Sequence, residues 1–352
     1  MLDKVGKPAF AAILVESHSE LVIGEIELPK QLGYGQVLVL VRYSGICASQ
    51  VHEIDALKGP DAYLPHLLGH EGSGSVLGIG PGVTTVAPGD NVVMHWRTGA
   101  GIQAETPKYR WDGQAINAGS ITTFNSHAIV SENRITRIPE GFDMRLAPLL
   151  GCSITTAFGA IGNDAKLKVG ESIVVLGAGG VGLAAVHAAH LTSAFPIVAI
   201  DLFDGKLAAA LDVGATHTLD GGVADSVLER IYDIVGSEGA DVVIETTGVS
   251  SVIELAYEAS SSRGRTILVG VPDVTKTVSL HTLPLHFGKV LTGSHGGSSE
   301  PDRDIPRLVR LADSGTLDLS RFPVTEHALA DINVAIRLLR AGAVGRQVIR
   351  MP

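Results

Sequence analysis

Cys47, His70 and Cys152 are the residues of this chain whose types and surroundings best suit a metal ion. The chain has only two cysteines among its 352 residues. Cys47 lies in Gly45-Ile-Cys47-Ala-Ser49-Gln50-Val-His52, Cys152 follows Leu150-Gly151, and His70 opens His70-Glu71-Gly72-Ser73-Gly74. Glycines and small polar residues beside each suit an exposed ligand. Three protein ligands leave one tetrahedral position of a zinc ion open for water or substrate, the pattern of a catalytic site, whereas structural zinc is closed by four. Two cysteines cannot build a four-cysteine site. Taken alone, the three residues also fit a plainer reading, with both cysteines buried as small hydrophobes and the histidine hydrogen-bonded in a core.

Residues 172–201 read as a nucleotide-binding unit. Ile173-Val-Val-Leu176 is a short apolar run of the kind found in buried parallel strands, followed at once by Gly177-Ala-Gly179-Gly180-Val181-Gly182 and a small-residue helix over Leu183 to Leu191. Gly177 permits the tight turn, Gly179 lets the backbone approach a pyrophosphate, and Gly182 lets helix and strand pack closely. The phosphates would face the helix N-terminus. A second strand, Ile197 to Ile200, ends in Asp201, placed to accept hydrogen bonds from the adenosine ribose; this favours NAD over NADP. No arginine stands beside Asp201 to hold a 2′-phosphate, and Lys206 reads as reaching the ribose edge.

The elements needed to position these groups fall into two kinds. From Glu20 to Val41 and from Val76 to Val93, short β-like runs broken by Gly and Pro suit a β-rich barrel. From about Thr155 strands alternate with helices: Leu207 to Val213, Val223 to Val235 and Ile253 to Ser260 have helical character, and Val242 to Glu245 and Thr266 to Val269 read as buried strands. A chain of this length, 45% hydrophobic, accommodates two domains with substantial cores.

These motifs together resemble the medium-chain zinc-dependent alcohol dehydrogenases over nearly the whole chain. Gly45-Ile-Cys47, Gly69-His70-Glu71-Gly72, Pro88-Gly89-Asp90, Gly151-Cys152, Gly177 to Gly182 and Asp201 occur in the family's order and at about its spacing. The resemblance implies an α/β protein with a GroES-like, barrel-like catalytic domain over residues 1–153 and 296–352, and a doubly wound Rossmann domain over 154–295. It implies one catalytic zinc on Cys47, His70 and Cys152, with NAD held by Thr156, Gly177, Gly179, Gly180, Val181, Gly182, Asp201, Lys206 and Arg346. Zinc makes an alcohol more acidic and NAD takes its hydride. Ser49 and then His52 resemble the hydroxyl and histidine that carry the proton away. Glu71 resembles the acidic residue behind the zinc, an alternate ligand or an electrostatic support.

Three departures from the family pattern stand out. Gln50 replaces an aspartate that hydrogen-bonds the ligand histidine, and a neutral amide cannot supply that negative charge. Ala48 replaces a basic residue at the pyrophosphate, and Arg346, which matches a family arginine near the C-terminus, reads either as the compensating cation or as a surface charge. The lobe from Met94 to His127 lacks the four cysteines of a structural zinc, so no structural zinc is expected, and packing of Trp96 and Trp111 is expected to order it. By position Trp96 and Phe124, with His295, resemble substrate-pocket residues. Arg97, Lys108 and Arg110 make the lobe basic, which reads either as a solvated loop or as a receptor for an anionic substrate group.

Other classes are disfavoured. A formal net charge of −10 argues against nucleic acid as a partner, and no apolar run reaches membrane-spanning length. Phe10 to Val15 is too short for a signal-peptide core, and two cysteines assigned to metal suit the cytoplasm. The expected partner is a small carbonyl compound or a primary or secondary alcohol, with polyols, sugars and aminocyclitols among the candidates, in a homodimer or homotetramer joined through Thr277 to Leu291. The competing readings are a zinc-free quinone or enoyl reductase of the same superfamily, and a non-catalytic nucleotide-binding protein.

Overall fold

The structure is a computed structural model that describes residues 9–222 and 227–352. Its elements in chain order begin with β1 (Ala9–Leu14), β2 (Val22–Ile26), β3 (Gln36–Gly45), α1 (Ala48–Ile54), β4 (His66–Leu67), β5 (Glu71–Ile79), β6 (Asn91–His95), β7 (Tyr109–Trp111), β8 (Gln114–Ile116), β9 (His127–Ser131), β10 (Ile135–Arg137), α2 (Pro148–Gly151) and α3 (Ser153–Gly159). The middle of the chain holds β11 (Ile173–Leu176), α4 (Gly180–Leu191), β12 (Ile197–Asp201), α5 (Asp204–Asp212), β13 (His217–Asp220), α6 (Val227–Val235), β14 (Ala240–Glu245), α7 (Ser250–Ala259), β15 (Ser260–Leu268) and β16 (Val290–Gly293). The remainder is α8 (Pro301–Asp313), β17 (Val324–Ala328), α9 (Ile332–Arg340) and β18 (Arg346–Arg350).

These elements form two compact units. One comprises Met1–Cys152, Glu300–Leu319 and Val324–Pro352; the other comprises Ser153–Ser299 and Ser320–Pro323. In the first, a seven-stranded sheet runs β10-β6-β5-β3-β18-β17, with β9 paired off that path to Gln36 to Leu40 of β3. β3 is the hub, antiparallel to β5, β9 and β18, and that last pairing ties the C-terminus to the strand leading into Cys47. Val37, Val39 and Val41 of β3 alternate inward onto Val76, Val92 and Val130 in one core. Leu38 between them is buried in a second core with Ile13, Tyr109 and Ile129, so this part of β3 is covered on both faces.

The second unit is a six-stranded, all-parallel sheet in the order β13-β12-β11-β14-β15-β16. All four residues of β11 are at most 2% exposed, which explains a continuous apolar run in place of alternation. The order reverses between β11 and β14, so the carboxyl ends of those strands flank the crevice where such sheets bind ligands. Boundaries differ from the sequence reading in places. α5 begins at Asp204, ahead of Leu207, because an acidic first turn extends it toward the strand. β15 begins at Ser260, and of the helix expected from Val223 the first four residues lie outside those described.

Candidate metal centre and nucleotide turn

Cys47 closes the turn after β3 and is the N-cap of α1, His70 precedes β5, and Cys152 caps α2. Three distant segments therefore deliver one donor atom each to the same place. The two sulfurs are 3.9 Å apart, and they and a His70 ring nitrogen all lie within 4.8 Å of one another. Two sulfurs about 2.3 Å from a tetrahedral zinc would be about 3.8 Å apart, so the donor set fits that ion. Glycine makes the approach of the segments possible. A Cβ on Gly151 would lie 2.4 Å from the Met94 carbonyl oxygen, and one on Gly45 would lie 2.6 Å from Glu71 Oε1.

The electrostatics favour an anionic sulfur. A hydrogen bond shared with Cys152, helped by Arg346 and His70, holds the Cys47 thiol well below its usual range against the effect of burial, while the same shared proton pushes Cys152 up. Burial alone would lower His70, but the bond to Cys47 and the charges of Cys47 and Glu71 outweigh it and raise the ring. Behind them Glu71, fully buried, is hydrogen-bonded to Arg346 and stands outside the group of three donors. Burial pushes its carboxyl up to about 7 despite Arg346. Burial would lower Arg346 too, yet Glu71, Cys47 and Cys152 together hold it above its usual range. Arg346 is only 6% exposed, so in this structure its charge is turned on the sulfurs and Glu71.

Gln50 takes a different part from the one its position suggests. Its Oε1 accepts from the Gly69 N–H and its Nε2 donates to Glu53 at 3.1 Å, so it fixes the backbone just before His70 and leaves the ring alone. Ser49 and His52 both lie half-buried on α1. His52 Nδ1 is buried without a hydrogen-bond partner, and burial, with Lys58, lowers the ring's proton affinity against the pull of Cys47 and Asp55.

The pocket residues separate. Phe124 is 1% exposed in the core, over Gly69, where a Cβ would lie 2.9 Å from its ring. Trp96 is half-buried at the end of β6, its carbonyl accepting from Arg134. His295 lies in the second unit, exposed, just beyond the carboxyl end of β16. A cleft of about 560 Å³ does open beside His70, but it is lined by Glu53, Tyr63, His66, Asn117 and neighbours and by none of those three. Glu53 and His66 escaped the sequence reading. The signal for Glu53 was its place three residues after Gln50, on the same side of α1.

The lobe is ordered by more than aromatic packing. Trp111 lies on Gly24, where a Cβ would be 2.5 Å from its indole nitrogen, and buried Tyr109 accepts from the Ile129 N–H. The larger device is Glu132, whose carboxylate accepts from the backbone N–H groups of Thr84, Thr85 and Ile102 at 2.7, 2.9 and 2.8 Å. His95 closes the base of the lobe, Nδ1 donating to the Arg97 carbonyl at 2.8 Å and Nε2 accepting from Thr136 at 2.9 Å. Burial pushes this ring down to about 4. Above pH 6.5 it is neutral whether folded or unfolded; below that the unfolded chain takes up a proton that the folded one refuses until about pH 4. Stability should therefore fall by up to about 3 kcal/mol across that window. Urea unfolding of the protein and of His95→Gln checks this: the variant's pH slope should be flatter, and equal slopes would refute it.

In the second unit Gly177 has φ +92°, and a Cβ there would meet Thr246 Oγ1 at 2.5 Å. Thr246 ties the two strand ends, donating to the carbonyls of Leu176 and Gly177 at 2.9 and 3.0 Å. A Cβ on Gly182 would lie 1.8 Å from the Gly177 oxygen, whereas one on Gly179 would meet nothing within 4 Å. Gly179 thus presents bare backbone to open space at the N-cap of α4, with the first N–H groups of Gly180, Val181 and Gly182 behind it. Thr156 Oγ1 is buried without a hydrogen-bond partner. Asp201 is already engaged: Oδ2 accepts from Ala178 N–H at 2.7 Å and Oδ1 from Leu202 and Phe203 N–H at 2.8 and 3.2 Å. Lys206 Nζ lies 3.7 Å from its Oδ1.

Comparison with known proteins agrees with this geometry. An alcohol dehydrogenase GroES-like domain model matches residues 33–140, and a zinc-binding dehydrogenase model matches 180–314. The S-(hydroxymethyl)glutathione dehydrogenase of Escherichia coli O1:K1 / APEC is 30% identical over 368 residues, covering 97% of this chain and 99% of that protein. An alcohol dehydrogenase zinc-binding domain protein from Burkholderia ambifaria superimposes with a TM-score of 0.89 at 29% identity, covering 98% of this chain and 99% of its own. Benzyl alcohol dehydrogenase from Acinetobacter calcoaceticus gives 0.88 at 27%, covering 98% and 100%. With its Cys-His-Cys group, glycine turn and full-length similarity, the chain belongs to the medium-chain zinc-dependent alcohol dehydrogenase family.

Proposed function

We propose that the protein oxidises an alcohol with NAD, using one zinc ion per chain held by Cys47, His70 and Cys152. The observation that carries this reading is the convergence of two sulfurs and an imidazole nitrogen at zinc-like separations. Zinc bound there supplies Lewis acidity at the substrate oxygen, and NAD supplies the hydride acceptor. Arg346 and Glu71 hold Cys47 and His70 in a balanced field. Gly179 admits the pyrophosphate, and Asp201 selects NAD. The zinc-free and non-catalytic readings leave the Cys-His-Cys group without a use. Metal analysis beside NAD reduction by small alcohols tests the proposal, and full activity in protein stripped of metal would overturn it.

Finer points follow from the same residues. A single zinc suffices because Glu132, Tyr109 and Trp111 order the lobe. The edge strand β16 and the segment before it expose Val278, Leu283 and Phe287, which supports assembly through 277–291 into a dimer or tetramer. Among the described residues no helix is long and apolar enough to cross a membrane, and cysteines that stand 3.9 Å apart as metal ligands without a disulfide suit the cytoplasm.

Ser49 and His52 carry the proton in this reading, with His52 its terminal acceptor. Burial keeps the ring neutral near pH 7, the form able to accept. His52→Gln should leave zinc content and melting temperature nearly unchanged and lower alcohol oxidation by roughly ten to a hundred-fold near neutral pH. The loss should shrink as pH rises, since hydroxide can then remove the proton. Equal rates for variant and parent from about pH 6 to 9, with a deuterated substrate showing hydride transfer to limit the rate, would rule the relay out.

A further inference from the structure

We propose that the cleft beside His70 is the substrate subsite and that it takes an uncharged, polyhydroxylated alcohol, with Glu53 accepting hydrogen bonds from its hydroxyls. The inference rests on the alcohol dehydrogenase reading above and adds to it the substrate class and a specificity-determining residue. At about 560 Å³ the cleft is of the size that small-molecule sites have, and it reaches Gly69 and His70 at one end. It lies wholly within the unit that carries the metal ligands.

Its walls are tied together. Leu67 N–H donates to the Asn117 carbonyl at 3.0 Å, Asn117 N–H donates to the Pro65 carbonyl at 3.0 Å, and Asn117 Nδ2 donates to the Tyr63 carbonyl at 2.7 Å. The chemistry of the lining is one-sided. Gln50, His66 and the Asn117 amide nitrogen are engaged within the wall, which leaves Glu53 Oε1, the Tyr63 hydroxyl and Asn117 Oδ1 to meet a ligand, and no lysine or arginine lines the cleft. A carboxylate or phosphate on the substrate would enter without a cation to meet it. The basic lobe residues Arg97, Lys108 and Arg110 are not part of its lining, and Arg110 donates to the Gly113 carbonyl while Arg97 lies 5.8 Å over the Trp96 ring.

Glu53 is the carboxylate turned toward this space. Asp61 is consumed by His66 Nε2 at 2.7 Å and by the Tyr63 N–H at 2.8 Å, whereas the Glu53 side chain is 36% exposed. Its Oε2 accepts from Gln50 Nε2 at 3.1 Å, which fixes the carboxylate and leaves Oε1 to accept from a substrate hydroxyl. Tyr63, 71% exposed, presents an aromatic face on which the C–H side of a sugar-like molecule can lie. A monohydric alcohol of the same size would strip water from Glu53 Oε1 and the Tyr63 hydroxyl and return no hydrogen bonds.

The test uses the zinc-loaded enzyme with NAD, comparing sorbitol, ribitol and myo-inositol with cyclohexanol, benzyl alcohol, 6-aminohexanol and 6-hydroxyhexanoate. At least one polyol should exceed cyclohexanol in kcat/KM by roughly a hundred-fold or more, because a site built for hydroxyls rejects analogues lacking them. Glu53→Gln and Glu53→Ala, both checked for an unchanged melting temperature, should lower the polyol-to-cyclohexanol ratio by roughly tenfold or more, chiefly through KM. Preference for a monohydric, amino or anionic alcohol over every polyol, or an unchanged ratio in both folded variants, overturns the inference. Oxidation of cyclohexanol with all polyols ignored overturns this inference alone, while no NAD reduction by any alcohol overturns the parent reading with it.

Discussion

Cys152→Ala should lose its zinc and its turnover while keeping its fold and its NAD affinity. Binding of zinc by a small set of protein ligands is worth about 10–16 kcal/mol, so losing one thiolate of three should cost roughly 3–4 kcal/mol, several hundred-fold or more in affinity. The remaining pair is also weakened, because the bond from Cys152 is the largest influence holding Cys47 below the usual thiol range. The fold should survive, since removing one buried sulfur leaves only a small cavity beside Cys47. The nucleotide turn belongs to the other compact unit. Metal analysis, NAD titration by fluorescence and thermal unfolding of the same preparation separate these effects. A variant that retains one tightly bound zinc would overturn the ligand assignment.

Asp201→Gly should weaken NAD by roughly a hundred-fold or more, from two causes at once. Bonds to the ribose are lost, and so is the tether by which Oδ2 holds the Ala178 N–H within the glycine turn. Hydrogen bonds to a charged group are worth about 1.5–3 kcal/mol each, enough for the tether alone to matter. Asp201→Asn separates the causes, since it keeps an acceptor oxygen for the turn and removes the charge that repels a 2′-phosphate. Adding Leu202→Arg, at a position 65% exposed, to the Gly variant should shift the ratio of NADP to NAD use by roughly a hundred-fold, with both used less well than the parent uses NAD. Steady-state KM values for both cofactors decide it; a parent protein that already prefers NADP would sink this reading of Asp201.

What the sequence determined by itself was local or compositional. The run Ile173 to Leu176, its glycines and the helix after them follow from short-range rules: an apolar tetrapeptide for a buried strand, φ beyond the reach of side chains at Gly177, and no room for a Cβ at Gly182. The only two cysteines and His70 raised a metal site as one of two readings, and the family resemblance favoured it. Tertiary structure decided which groups surround that chemistry. Arg346 meets Glu71 across 275 residues, and no local pattern forecasts a pairing made when β18 closes on β3. Gln50 turned to the Gly69 backbone, Phe124 went into the core, and Glu132 gathered N–H groups from two loops, each because a buried polar or apolar group must be satisfied by whatever the fold brings near it. The cleft beside His70 is of the same kind. Its character comes from α1, the approach to β4 and residues 117–121 meeting in space, and long-range packing of that kind leaves no period or motif in the chain.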